Sequence, residues 1–352
     1  MISTRSSGSR ADGLTNLLDV ELECIEGLCD VAGAELGALP VNAVEPIVRE
    51  RSVVACVTSL EGIVELRCPV AAYLVVSRGG AKPTTLVGDS GLVDACAMVL
   101  GSDPDGAFTS FGIDMPGKDS PAARRIRDVV AAATGVRFEK ERGQLLVRVR
   151  RVKDGWQALV RLTPKPLSTR SWRTQSVPGA VNACVAASMV RLLEPSPDDA
   201  FLNLMCGSGT LAIERALHGP AARIVALDND PDMVRIAEEH GGRAGVSDRI
   251  EVVEGDAMST GLVDASFDAL AAVLPYGFRI GTHDDNVAGY GAVLQESARV
   301  ATSDARFALL TQEVTLIESA ISQQRAWSLR ESRRIWQGGH RPSLCILTRA
   351  ST

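Results

Sequence analysis

The feature that most constrains this chain is a series of short apolar runs in its second half. From about residue 176 onward, runs at 200–204, 224–228, 250–253, 267–273 and 307–311 alternate with segments of helical spacing. Such runs are too brief for helices and lack the strict alternation of a one-sided sheet. They predict strands buried on both faces, hence a βαβ series around a parallel sheet. Open sheets of this kind bind ligands at the carboxyl ends of their strands, so chemistry is sought just after each run.

The first run ends in Met205-Cys206-Gly207-Ser208-Gly209-Thr210 and opens directly into a helix. Glycines there let the backbone approach a ligand closely, and Thr210 can cap the helix. A lone Gly-Ser-Gly would fit an empty strand-to-helix turn equally well, but the later strand ends add to it. Asp228-Asn229-Asp230 follows the second run, and an acid about 20 residues past a glycine loop suits a ribose diol. Glu254-Gly255-Asp256-Ala257 follows the third and suits an adenine edge, the side chain accepting from the amino group while the backbone donates to a ring nitrogen. Val273-Leu274-Pro275-Tyr276-Gly277 follows the fourth.

The net charge of −6 argues against a polyanionic partner, but its distribution argues for one. Residues 1–117 carry 7 Lys/Arg against 16 Asp/Glu, residues 118–173 carry 15 against 5, and residues 174–352 carry 15 against 22. One basic segment between two acidic ones is the footprint a polyanion seeks, although a merely solvated Arg-rich face gives the same count. Within it, Ser120-Pro121 starts a helix that ends at Gly135. Residues 144–152 and 156–162 flank a Lys153-Asp154-Gly155 turn and read as a hairpin. Alternation puts Arg148 and Arg150 on one face, opposite Leu145, Val147 and Val149. Before this segment, 20–24, 52–57 and 63–66 read as strands, 25–36 as a helix, 71–76 as helix or strand, and 101–106 as a linker. Residues 1–18 read as a flexible lead without the apolar core of a secretory signal. Eight scattered cysteines with no CxxC pair and four histidines point to reduced thiols in a cytoplasm and to no metal site. No apolar run approaches a membrane span.

The Met205–Thr210 loop resembles motif I of class I S-adenosylmethionine-dependent methyltransferases acting on nucleic-acid amino groups, with the Asp228 and Asp256 regions similar to the next two motifs. Leu274-Pro275-Tyr276-Gly277 resembles the motif IV of the tRNA guanine-N2 enzymes, residues 178–193, read as a helix just before the first strand, resemble motif X, and the basic segment with its extension to Arg173 resembles the end of a THUMP domain. The resemblance implies a Rossmann-like α/β domain with a seven-stranded mixed sheet at 176–352. An α+β ferredoxin-like unit (19–100) and a THUMP-like region (101–175) would precede it. It implies S-adenosylmethionine held by Asn203, Cys206, Gly207, Ser208, Gly209, Thr210, Asp228, Asn229, Asp256 and Ala257. It also implies catalysis at Leu274, Pro275 and Tyr276, with no metal. tRNA or another structured RNA would be held by Arg124, Arg125, Arg127, Arg148, Arg150, Arg151, Arg170 and Arg173.

Two positions depart from that family. Asn203 stands where motif I usually begins with Asp, and Val273 stands where motif IV has an Asn or Asp that accepts a hydrogen bond from the amine. Valine cannot accept one, which leaves the backbone carbonyls of 273–275 as acceptors. Methylation of a guanine amino group in tRNA is the leading expectation. A small-molecule amine methyltransferase and an inactive RNA-binding homologue are the alternatives that Val273 opens.

Overall fold

The computed structural model describes residues 17–41, 44–102, 106–140, 143–175, 177–275, 283–336 and 338–350. Its first half runs β1 (Leu18–Glu23), α1 (Cys29–Gly37), β2 (Ile47–Val48), β3 (Ser52–Val57), β4 (Ala71–Gly79), α2 (Gly91–Gly101), β5 (Ser110–Asp114), α3 (Pro121–Thr134), β6 (Arg137–Phe138), β7 (Leu145–Val152) and β8 (Gly155–Arg161). These strands make one eight-stranded sheet in the order β2-β3-β1-β4-β8-β7-β5-β6. The segments expected as 19–100 and 101–175 share it, because β4 pairs with β8 from Tyr73↔Arg161 to Gly79↔Gly155.

Local chemistry accounts for most of these elements. Ser120 Oγ accepts from the Ala123 N–H, Pro121 opens α3, and Gly135 closes it at φ 67°. Ala123, Ile126 and Val130 bury one side of that helix, so Arg124 and Arg125 face solvent. Along β7, Leu145, Val147 and Val149 are buried while Arg148 and Arg150 lie on the opposite face.

Two expectations are corrected and one left open is decided. Residues 63–66 do not form a strand. Gly62 at φ 74° feeds a single 3₁₀ turn, Ile63–Glu65. The first helix starts at Cys29 rather than Ile25, because Gly27 holds φ 90° and packs so close to the Arg334 carbonyl that a Cβ would lie 2.4 Å from it. The 71–76 run is a strand, buried on both faces at Ala71–Leu74 because it sits mid-sheet. The expected 101–106 linker begins in the last turn of α2, and its residues 103–105 fall outside the described residues, as do 1–16 of the expected lead.

The second half runs α4 (Ala183–Leu192), β9 (Ala200–Leu204), α5 (Thr210–His218), β10 (Arg223–Asp228), α6 (Pro231–Arg243), β11 (Glu251–Glu254), β12 (Phe267–Val273), α7 (His283–Val300), β13 (Ala301–Thr311), α8 (Val314–Gln323), β14 (Trp327–Arg334) and β15 (Ser343–Arg349). The sheet order is β11-β10-β9-β12-β13-β15-β14, with β15 antiparallel to both its neighbours and the other pairs parallel. Both faces are buried. Phe201, Ala226, Ala271 and Leu310 join the cluster that includes α4 and α5, while Leu202, Leu227, Ala272 and Leu309 join the one that includes residues of α7 and α8. The first cluster continues into the N-terminal sheet and its helices, so the two halves share a core. No described helix is long and apolar enough to cross a membrane.

Candidate cofactor and substrate site

At the end of β9 the chain turns sharply through Met205 (φ 50°), Gly207 (φ 52°) and Gly209 (φ 79°) into α5. Two of these left-handed positions are glycine, where the conformation carries no Cβ penalty; Met205 holds it at a cost. A Cβ on Gly209 would lie 2.9 Å from Ala237 Cβ of α6, so α5 and α6 close against the loop there. A Cβ on Gly207 would meet nothing within 4 Å, leaving open space beside the backbone. Asp228 anchors the loop, its Oδ2 accepting from the Gly207 N–H at 2.7 Å and its Oδ1 from the Asp230 N–H at 3.1 Å. The Asp228 carbonyl accepts from the Gly255 N–H at 2.9 Å, which brings the third strand end alongside. There Asp256 Oδ1 accepts from the Met258 N–H at 2.8 Å.

These strand ends enclose a cavity of about 440 Å³, within the usual range for a small-molecule site. Cys206, Gly207, Ser208, Thr210, Asp228, Asn229, Asp256, Ala257, Leu274 and Pro275, all singled out in the sequence, line it. Val273 adds an apolar wall, and burial together with the Asp228 charge pushes the Cys206 thiol well up, out of nucleophilic range. Gly209 is not among the lining residues because it faces α6.

Asn203 is a correction. Strand alternation turns it to the buried face shared with Phe201, where its Nδ2 donates to the carbonyls of Leu204 and Ala271 at 3.1 and 3.2 Å. It ties β9 to β12 and does not line the cavity. Tyr276 lies outside the described residues. The sequence reading missed Met233 and Met258 and the chain before α4, including Gly179 and Val181. That segment was expected inside a helix, but α4 begins only after Asn182 caps the Cys184 N–H. The Asn-x-Cys spacing could have signalled the cap.

The basic segment divides in two. Arg124 and Arg125 are exposed, and Arg151 is exposed beside the Trp156 ring. Arg127 pairs with Asp128 and lies over Phe138. Arg148 and Arg150 are engaged internally, Arg148 with Glu23 at 2.9 Å and Asp114 at 3.2 Å, Arg150 with Glu21 at 2.6 Å. Arg170 and Arg173 are corrections to an expected RNA surface, because the chain leaving β8 runs inward against α5. Arg170 Nε donates to Glu214 Oε1 at 2.8 Å, while Arg173 Nη2 donates to Thr210 Oγ1 at 2.6 Å and to the Val181 carbonyl at 3.0 Å. Among the described residues no cluster of three metal-ligating side chains occurs.

A sheet in this strand order, with one antiparallel strand and a cavity over the first glycine turn, defines a class I methyltransferase fold. Residues 170–343 match the RMKL-like methyltransferase domain family. A tRNA (guanine(6)-N2)-methyltransferase of Thermus thermophilus is 30% identical over 227 residues, 64% of this chain and 66% of that protein. The human tRNA (guanine(6)-N(2))-methyltransferase THUMP3 is 30% identical over 203 residues, 54% of this chain and 40% of the relative. The chain thus matches about two fifths to two thirds of these relatives' length. Among solved structures, TrmN from Thermus thermophilus superposes with a TM-score of 0.75 at 24% identity, covering 94% of this chain and 99% of that one. SMU.472, solved in complex with SAH, gives 0.69 at 16%, covering 96% and 98%. Both likenesses span nearly the whole chain and concern the fold.

Proposed function

We propose that this protein is an S-adenosylmethionine-dependent methyltransferase that modifies a guanine amino group in tRNA. The observation that carries the reading is the cavity itself. A glycine loop, two acid-bearing strand ends and the Val273–Pro275 turn meet in one space large enough for a nucleoside. The open position beside Gly207 leaves room for the methionine moiety against the loop amides. Asp228 suits the ribose diol, and Asp256 with Ala257 the adenine edge. When bound, the cofactor supplies an electrophilic methyl group.

The protein's part is to bind, orient and exclude water. Leu274 and Pro275 line the wall of the cavity; the Pro275 carbonyl is taken by the Tyr290 hydroxyl, so the Val273 and Leu274 carbonyls are the acceptors that would turn the guanine amine with its lone pair toward the methyl. The Val273 side chain offers the base only apolar contact. The eight-stranded unit presents Arg124 and Arg125 on α3 to RNA phosphates, and tRNA named for the relatives is the substrate that best fits that surface. Seven of the eight free cysteines are buried and the other is half-buried, which suits work in a reducing cytoplasm.

The test is methyl transfer from labelled S-adenosylmethionine to unmodified tRNA, followed by nucleoside analysis. N2-methylguanosine is expected. Replacing Arg124 and Arg125 together by Glu should weaken tRNA binding and flatten its salt dependence by roughly two units of slope. No labelled product with any tRNA, or binding indifferent to both charge reversals, refutes the proposal.

A further inference from the structure

The turn that lines the cavity after β12 is held by a chain of hydroxyl hydrogen bonds from three other elements. Tyr290 on α7 is 2% exposed, and its hydroxyl lies 2.6 Å from the Pro275 carbonyl and 2.6 Å from Thr311 Oγ1. Thr311, at the end of β13, is fully buried and accepts from the Glu313 N–H at 3.0 Å where α8 begins. Proton accounting orders these three bonds. The Pro275 carbonyl has no hydrogen, so the tyrosine proton points to it. The Thr311 hydroxyl must then donate to Tyr290 Oη, and its own oxygen takes the Glu313 amide proton. Each bond polarises the next in a dry setting. On the neighbouring strand, the Leu274 N–H donates to the Leu310 carbonyl at 2.9 Å.

We infer that Tyr290 is a positioning residue for this reaction, which orients the acceptor carbonyls of the 273–275 turn through Pro275. This rests on the proposed methyltransferase reading and deepens it. Val273 removes the side-chain acceptor, so the aim of the backbone carbonyls decides how the amine is held. A backbone turn left to fluctuate would hold the lone pair poorly, whereas one fastened at Pro275 presents its carbonyls in one direction. Tyr290 itself lies behind the turn and is not among the residues lining the cavity. Its effect therefore falls on the chemical step and not on binding.

The experiment compares wild type with Tyr290→Phe, Thr311→Val, Thr311→Ser and the Tyr290→Phe/Thr311→Val pair. Three quantities are read: single-turnover methyl transfer to tRNA, calorimetric affinity for S-adenosylmethionine, and hydrogen exchange at the Leu274 amide. Tyr290→Phe should slow single turnover about tenfold, with affinity changed less than about twofold, and should speed Leu274 exchange about tenfold. Thr311→Val should act in the same direction, the pair should be no slower than Tyr290→Phe alone, and Thr311→Ser should restore the wild-type rate. A folded Tyr290→Phe protein with wild-type turnover and exchange overturns the inference. So does a loss of cofactor affinity that matches the loss of rate, or Thr311→Ser behaving like Thr311→Val. If wild type methylates no tRNA, the functional reading falls. The exchange measurement then decides alone whether Tyr290 holds the turn.

Discussion

Glu214 is a buried carboxylate that joins the two halves of the molecule. Its side chain, on α5, has no exposed surface, and its oxygens accept from Arg67 Nε at 2.6 Å, from Arg67 Nη2 at 3.0 Å and from Arg170 Nε at 2.8 Å. Arg67 belongs to the first unit and α5 to the second, so these bonds cross between the halves. Glu214→Ala would leave two guanidiniums facing a vacated space. Arg67, 26% exposed, can turn to water, but Arg170 at 7% cannot. Breaking a buried pair on one side costs about 3–5 kcal/mol. With an unfolding entropy of about 2.1 cal/mol/K per residue, a 352-residue chain melting as one unit loses about 4–7 °C. Scanning calorimetry should show that loss, together with a first transition belonging to the N-terminal unit if the halves uncouple. Adding Arg170→Met should return at least half of the loss, since the unpaired buried charge is then gone. A Glu214→Ala protein that melts within about 1 °C of wild type, or an Arg170→Met change that deepens the loss, would show that the network does not join the halves.

Asp228→Ala should weaken S-adenosylmethionine binding by about 10- to 100-fold in calorimetry, corresponding to ~1.5–3 kcal/mol for a charged acceptor. Asp228→Asn should fall between it and wild type, because an amide oxygen can still receive the Gly207 N–H; equal losses would place the whole effect on charge. Arg299, with help from the Thr260 hydroxyl and amide, holds the Glu296 carboxyl down at about 2 against an ordinary 4.5. A carboxylate with a lowered folded pKa stabilises fully above about 4.5, and its contribution is lost as pH falls through about 2. In Arg299→Met the Glu296 titration, followed by NMR, should move up toward 4.5 and acid unfolding should begin at higher pH. An unmoved midpoint would mean that Thr260 alone sets it.

What was legible in the sequence was local. The caps of α3, the β7–β8 hairpin and the glycine loop are encoded within a few residues, and strand ends carrying acids converge because parallel strands point the same way. The cavity could therefore be assigned from spacing. Asn203 could not, because its role depends on which face of β9 the sheet turns toward α5, one residue before the loop departs from strand geometry. The pairing of β4 with β8 joins residues some 80 apart, which no local pattern encodes.

The charge partition shows the same limit in its sharpest form. An acidic first segment followed by a basic one suggests a basic surface awaiting RNA. Folded together, they place β1 and β7 in one sheet with two strands between them, and Glu21 and Glu23 lie within reach of Arg150 and Arg148. Arg170 is likewise engaged by Glu214. Three of the segment's arginines are thus answered by carboxylates from outside it, at positions where an unpaired charge would be costly. Reversing Arg148 or Arg150 to Glu would set it against those acids and unsettle the sheet before it tested any RNA contact. On the proposed reading, the electrostatic surface left for a polyanion is narrower than composition suggests and includes the outward face of α3, at Arg124 and Arg125, where a charge can be changed without stranding a partner inside the fold.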